Sequence, residues 1–410
     1  MRITRLFTSQ LYIDGNSLVA DHFSGVGHYM LGLTRALDKL ASNKLRRLNI
    51  CIVVLEESKG KLDKYKFVNL DVKTIPLEKT QFHELLVQDR LPLMDLSVGR
   101  GVYLFPDFVT WPLERSKSIT TIHDLSFEEV PQFVDDGNAK FLREAVRKSS
   151  QRADRIATVT NTMKRAIARF YGLHDNKIIV TNNAVDTKLF YRRDRAEINA
   201  VKRKYGIDGE YILCVGNIEP RKNQERLMEA FLKLPARLAK NYNVVLVGAG
   251  GWKNEAVYRL AKKQPAGASK FIIIEGKVVD EDMPAIYSGA SLSVNPSFYE
   301  GFGMPTVEAM ACRVLVVASD IPVMREVAGQ GAIYVDPNSV ESIARGIEQG
   351  LTLQPREKAT TLKANYKRAA SYRWAATAKE IIRAARRLDF AMKKELLVQR
   401  LHKPAKSSGN

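Results

Sequence analysis

Short apolar, β-branched runs alternate along the chain with longer segments of helical spacing. NICIVVL (49–55), GVYLF (101–105), SITTI (118–122), RIATV (155–159) and KIIVT (177–181) predict strands in the first half. YILCVG (211–216), NVVLVG (243–248), FIIIEG (271–276), SLSVN (291–295) and VLVVAS (314–319) predict strands in the second. Between them, HYMLGLTRALDKL (28–40), RKNQERLMEAFLKL (221–234) and TVEAMA (306–311) space their apolar residues as helices do. This alternation predicts βαβ units and parallel sheets. Most runs are apolar at successive positions, so both faces of each sheet should be covered. The expected fold class is α/β, with two Rossmann-like, doubly wound domains. A chain of 410 residues is long for a single core, which agrees.

The charged, strandless stretch 186–209 marks the boundary. It divides the chain into an amino domain over 1–190, a linker over 191–208 and a carboxyl domain over 209–370. A helix follows from 371 to about 395, then a basic tail over 396–410. On that helix Ile381, Ala385, Leu388, Met392 and Leu396 fall on one face. Arg383, Arg386, Arg387, Lys393 and Lys394 fall on the other.

Charge sharpens the picture at this end. The formal net charge is +19, and residues 361–410 carry 13 Lys and Arg against 3 Asp and Glu. A basic end suits an anionic partner such as a membrane surface, while a solvated helix face is the plainer reading. A nucleic-acid partner is not expected, because there is no zinc spacing, RNP aromatic pattern or basic region before heptads. Cys51, Cys214 and Cys312 lie in apolar surroundings without CxxC spacing, as small buried residues of a reducing compartment do. The start, MRITRLFTSQLYIDG, lacks a signal-peptide core, and no apolar stretch approaches 18 residues. The expected location is cytoplasmic, with the basic helix as the candidate contact to the inner face of a membrane.

The chemistry concentrates in SFYEGFGMPTVEAM (297–310). This loop joins a predicted strand to a predicted helix, so it lies at a strand's carboxyl end, where α/β sheets bind ligands. Gly301 and Gly303 let the backbone approach a ligand, and Pro305 suits a first helical turn. N–H groups around Met304, Thr306 and Val307 would face an anion such as phosphate. Glu308 could then accept two hydrogen bonds from a ribose diol, and Glu300 could hold hydroxyls of a second sugar. In the plainer alternative, Glu308 complements the helix dipole and Glu300 is a loop charge.

The two glutamates with their intervening loop resemble the donor-site signature of retaining glycosyltransferase family 4, a family with the GT-B fold. YILCVGNIEPRKNQERLMEAF (211–231), VVLVGAGGW (244–252), GKVVDEDMPAIYSGA (276–290), TIHDLSFEEVP (121–131) and SGVGHYMLGLTRAL (24–37) resemble further segments of it in the same order. The His-Asp segment is similar to that of mannosyltransferase-like members. The resemblance implies two domains facing a cleft, with the last helix crossing back to the amino domain. It also implies transfer of a hexose, with retention, from a nucleoside-diphosphate sugar to a glycan or lipid-linked acceptor. GDP-mannose is the first expectation, then dTDP-rhamnose and UDP-glucose.

Under this resemblance, Arg221 and Lys222 neutralise the leaving diphosphate, so no metal or other cofactor is expected. His123 and Glu300 stand at the reacting sugar, and Asp124 stands on the acceptor side. The leaving diphosphate oxygen takes the proton of the incoming hydroxyl, and Glu300 binds the donor sugar rather than attacking it. Gly25, Gly27, Gly216, Lys277, Val278, Gly301, Phe302, Gly303, Met304, Pro305, Thr306 and Glu308 line the donor, with the Gly248–Gly250 turn beside the base. Asp280-Glu281-Asp282 mimics a metal-binding D-x-D, but it precedes a helical pattern with Pro284, so Asp280 or Asp282 is expected as an N-cap. Two positions depart from the family. Arg313 stands where a helix end favours glycine, and Ala184 stands where glycine is usual. The competing readings are a nucleotide-sugar epimerase or phosphorylase on the same fold, and a non-catalytic scaffold.

Overall fold

The computed structural model describes residues 9–20, 25–42, 48–263, 269–276 and 278–401. Two parallel sheets organise them. The first holds β1 (Ser9–Asp14), β2 (Leu48–Leu55), β3 (Asp71–Ile75), β4 (Val102–Phe105), β5 (Lys117–Ile122), β6 (Arg155–Thr158) and β7 (Ile178–Val180) in the order β3-β2-β1-β4-β5-β6-β7. The second holds β8 (Glu210–Val215), β9 (Tyr242–Gly248), β10 (Phe271–Glu275), β11 (Leu292–Asn295), β12 (Val316–Ser319) and β13 (Ala332–Val335) in the order β10-β9-β8-β11-β12-β13. Each order reverses once, at β1/β4 and at β8/β11. Crevices outside strand carboxyl ends at such reversals are where doubly wound sheets take ligands.

Every predicted run contains a strand. The sequence pattern does not announce β1, β3 or β13. β3 and β13 lie at sheet edges; β3 exposes three of its five residues and is not uniformly apolar, while β13 is apolar but only four residues long. The stretch 186–209 is not wholly irregular: Arg195–Lys204 is a helix, and the Asp194 side chain caps it by accepting from the Glu197 N–H at 2.9 Å. This helix packs on the helix Met283–Gly289.

The last helix, Trp374–Leu401, crosses back onto the amino domain and packs on the helix Gly25–Ala41. Ile381, Ala385, Leu388 and Met392 are buried on the expected face. Each large one contributes about 1.5–3 kcal/mol of apolar burial. Gly32 is required for this contact, because a Cβ there would fall 2.2 Å from the Trp374 indole. The architecture is thus GT-B, with two Rossmann-like domains and a returning carboxyl helix.

β12 begins two residues later than its apolar run because Val314 and Arg313 are used to end the preceding helix, Met304–Ala311. The Val314 N–H bonds the Ala309 carbonyl at 2.9 Å, and the Arg313 N–H bonds Met310 at 3.1 Å. This is a Schellman closure with arginine, at φ 56°, where glycine is favoured. Arg313→Gly relieves that strain but adds unfolded-chain entropy and removes the guanidinium from the Tyr366 ring, 5.0 Å away. The expected outcome in urea unfolding is a stability within about 1 kcal/mol of wild type, with any change a gain. A loss above about 2 kcal/mol would show that the Tyr366 contact outweighs the backbone strain.

Candidate active site

At the β8/β11 reversal, the chain leaves β8 through Gly216, whose φ of 142° is open mainly to glycine. It then forms a 3-10 turn, Pro220–Lys222, and a helix, Gln224–Leu232. Arg221 and Lys222 therefore sit on the turn before the helix. Asn223, in the left-handed region at φ 61°, anchors the turn. Its Nδ2 donates to the Pro296 carbonyl at 2.9 Å and the Pro337 carbonyl at 2.8 Å. That clamp holds the Arg-Lys turn against the loop leaving β11.

There the two cations meet Glu300. Lys222 Nζ lies 2.6 Å from Glu300 Oε1, and Arg221 Nη1 lies 3.5 Å from Oε2. Arg221 Nη2 also pairs with Glu219 at 2.6 Å. Burial pushes the Glu300 carboxyl up, but the charges of Lys222 and Arg221 outweigh it and hold it below its usual range. For Arg221, burial works against the charge, while Glu300, Glu219 and Asp124 secure it. Glu219 is buried and was not singled out from the sequence. The only signal for it is an acid two residues before the arginine.

The helix Met304–Ala311 starts as expected, with Gly303 as N-cap at φ 84° and Pro305 in its first turn. One expected free donor is used, since the Thr306 N–H bonds the Gly303 carbonyl at 3.1 Å. The buried Thr306 hydroxyl has no hydrogen-bond partner among the described residues. Phe302 turns its ring into the core against Tyr372, 5.1 Å between centroids, so a ligand can meet only its backbone. Glu308 Oε2 accepts from the Tyr287 hydroxyl at 2.7 Å. Burial pushes the Glu308 carboxyl up to about 7; Tyr287 opposes this and Asp280 adds to it.

Asp282 stands at the N-cap position of Met283–Gly289, but its side chain makes no cap bond. It accepts instead from Lys204 at 2.6 Å and Tyr205 at 2.7 Å, so the expected capping bond is replaced by an ion pair with the end of the helix Arg195–Lys204. Val278 is half-buried against the core, and Lys277 lies outside the described residues.

The amino domain supplies the opposite wall. A Cβ on Gly301 would fall 2.1 Å from the His123 carbonyl, so glycine permits the loop to close on this segment. His123 Nε2 donates to the Pro106 carbonyl at 2.7 Å, which leaves Nδ1 as the acceptor of a neutral ring. Burial between Tyr29 and Phe108 lowers its pKa, which keeps that ring neutral. Asp124 Oδ1 is committed to the Ser126 N–H at 2.9 Å and hydroxyl at 2.8 Å. Gly25 opens its helix, with nothing within 4 Å of an added Cβ, and Gly27 is buried two residues later. At the β1/β4 reversal the structure adds Asp14, at the end of the unannounced β1, and Asp107, which follows β4 and comes near Asp14 only through the sheet order. Burial raises the Asp14 carboxyl to about 7 despite a bond from the Asn16 N–H, and Asp107 raises it further.

The two walls are joined directly. Tyr299 donates to Glu129 at 2.8 Å and accepts from the Leu125 N–H at 3.2 Å. Glu326 accepts from the N–H groups of Asn161 and Thr162, both at 2.7 Å, and so caps the helix Asn161–Tyr171 of the other domain.

Residues 197–369 match the family model "Glycosyl transferases group 1", and residues 103–189 match "Glycosyltransferase Family 4". O-antigen chain mannosyltransferase B of Escherichia coli is 33% identical over 251 residues, covering 61% of this chain and 65% of that protein. O-antigen chain mannosyltransferase RfbU of Salmonella typhimurium is 31% identical, over 58% of this chain and 63% of that protein. The chain thus spans less than two thirds of these relatives. Among solved structures, Anabaena HepE in complex with UDP and glucose superposes with a TM-score of 0.67 at 15% identity, covering 93% of this chain and 100% of that one. Sucrose-phosphate synthase of Thermosynechococcus elongatus gives 0.68 at 18%, over 94% and 100%.

Proposed function

The chain belongs to the glycosyltransferases, with a group 1 carboxyl domain behind a family 4 amino domain, and on that premise we propose that it transfers a hexose from a nucleoside-diphosphate sugar to a glycan or lipid-linked acceptor. One observation carries the reading: Glu300 and Glu308 flank a helix start that faces the Arg221–Lys222 turn. The diphosphate lies at that helix start, where Thr306 offers a hydroxyl with no partner among the described residues. Arg221 and Lys222 neutralise it as it leaves, without a metal ion. Glu308 accepts the ribose hydroxyls. Glu300 and the Nδ1 of His123 accept hydroxyls of the reacting sugar.

The bond from the sugar's anomeric carbon to the diphosphate breaks, and a bond to the acceptor oxygen forms on the same face. Bond making on the face that the diphosphate leaves retains the configuration, and the acceptor's proton passes to the departing diphosphate oxygen. Mannose from GDP-mannose is the first donor. The names of the mannosyltransferase relatives support it, with dTDP-rhamnose and UDP-glucose next.

Thermal unfolding with GDP, UDP, dTDP and ADP, each with and without magnesium, tests this. At 100 times its dissociation constant a ligand stabilises by about 2.7 kcal/mol. GDP is expected to raise the midpoint equally in both conditions. No shift with any diphosphate would remove the donor-site reading.

The acceptor's membrane anchor suits the returning helix. No described helix is long and apolar enough to cross a membrane. Arg383, Arg387, Phe390, Lys394 and Leu397 recur every three or four residues on its outer face, and Phe390 is 71% exposed. This stripe fits an anionic lipid surface. Sedimentation with anionic vesicles at low salt should fall severalfold in a Phe390→Glu, Lys394→Glu variant. Equal binding would remove the membrane contact.

A further inference from the structure

A cavity of about 990 Å³ opens at the other end of the carboxyl sheet, away from the donor residues. Gly209–Glu210, Ala290–Ser291 and Val314–Leu315 form its floor, at the amino ends of β8, β11 and β12. β8 is six residues long, which places this floor roughly 20 Å from the Arg-Lys turn. The walls are the helices Arg195–Lys204 and Pro355–Ser371.

Six cations line it: Arg192, Arg195, Lys202, Arg313, Lys358 and Lys363. Among the described lining residues, Glu210 is the one acid, and it already accepts from the Ser291 hydroxyl at 2.8 Å. Arg192, Arg195, Arg313, Lys358 and Lys363 form no ion pair among the described residues. Elsewhere on this chain, surface cations commonly find carboxylates, as Lys204, Arg325 and Arg383 do. Unpaired like charges around one concavity repel each other unless an anion enters. Backbone strain is a second observation: Arg313 holds a left-handed conformation that favours glycine, and its side chain lines this cavity. The volume exceeds what one small anion fills and suits a ligand of cofactor size.

We infer that this cavity binds a ligand carrying two or more phosphate groups, held by the guanidinium groups of Arg192, Arg195 and Arg313 and the ammonium groups of Lys358 and Lys363. Guanidinium matches phosphate through paired N–H donors, and ammonium adds point charge. The site is separate from the donor crevice and has an apolar floor in Val314 and Leu315. Its ligand is either a soluble polyphosphate ester or a phosphate-bearing lipid headgroup.

Two arms separate these sources, both in the full chain with Lys222→Ala to weaken the donor crevice. Sodium tripolyphosphate is titrated calorimetrically at low salt, and vesicles containing phosphatidic acid are sedimented. Adding Arg195→Glu and Lys358→Glu should lower affinity by about tenfold or more in the arm that reports the ligand. Arg313→Gly should lower it by about threefold while leaving the unfolding midpoint unchanged or raised. Loss with tripolyphosphate assigns a soluble ligand, and loss with vesicles alone assigns a headgroup. If the charge-reversed chain matches its parent in both arms, or the parent binds neither probe, the inference is overturned.

Discussion

Glu308→Gln is expected to weaken nucleotide-sugar binding by about 1–3 kcal/mol and to remove its pH dependence between pH 6 and 8. Burial raises the wild-type carboxyl to about 7, with Asp280 adding to it against the Tyr287 hydrogen bond. Ribose hydroxyls bond best to the ionised form, so donor binding releases a proton. Affinity should therefore rise as pH increases through 7 and level off above it. Stability runs the other way. The unfolded carboxyl ionises near its ordinary value of 4.5 and the folded one near 7. Between these values the folded state holds a proton that the unfolded state has lost, so stability falls as pH rises across that window. Glutamine abolishes this slope. Calorimetric titration of the intact nucleotide sugar at three pH values, paired with urea unfolding, separates the two effects. A wild-type affinity that is flat with pH would remove Glu308 from the ribose.

Lys222→Ala should lower turnover by about 10²–10³, the usual cost of removing one preorganised donor to developing negative charge. It should also destabilise the fold, because Glu300 is 8% exposed and loses the partner 2.6 Å away. Arg221 remains at 3.5 Å, so the loss should be about 2–3 kcal/mol rather than that of a fully orphaned charge. The sign with pH follows from the lowered Glu300 carboxyl. Its stabilisation is present above the ordinary value of 4.5 and disappears as pH falls through the lower folded value. Wild type and variant should thus converge in stability under acid. Single-turnover transfer, normalised to folded protein, provides the decisive comparison. Normal turnover per folded molecule would make Lys222 structural.

Much of the donor side was legible as local chemistry. Gly303 and Pro305 mark a helix start because one tolerates positive φ and the other needs no N–H. The buried face of the last helix follows from spacings of three and four residues. Which way Phe302 turns its ring was not legible, because a residue in a ligand loop can face either side and only the position of Tyr372 settles it. Of the two expected caps, Asp282 does hold the N-cap position, but its side chain is drawn to Lys204 and Tyr205, at the end of a helix hidden in a charged stretch.

The sequence alone determined ten of the thirteen described strands in their order, the plan of two doubly wound sheets and the helix start within 300–308, because side-chain periodicity and backbone preference act over a few residues. Only the tertiary structure decided that β8 lies beside β11, and so that Lys222 meets Glu300, 78 positions away. It likewise decided that Gly301 closes on His123 and that Glu308 keeps a proton to about 7. Ion pairing, desolvation and steric closure depend on distances in space, which sheet order sets and local spacing does not contain.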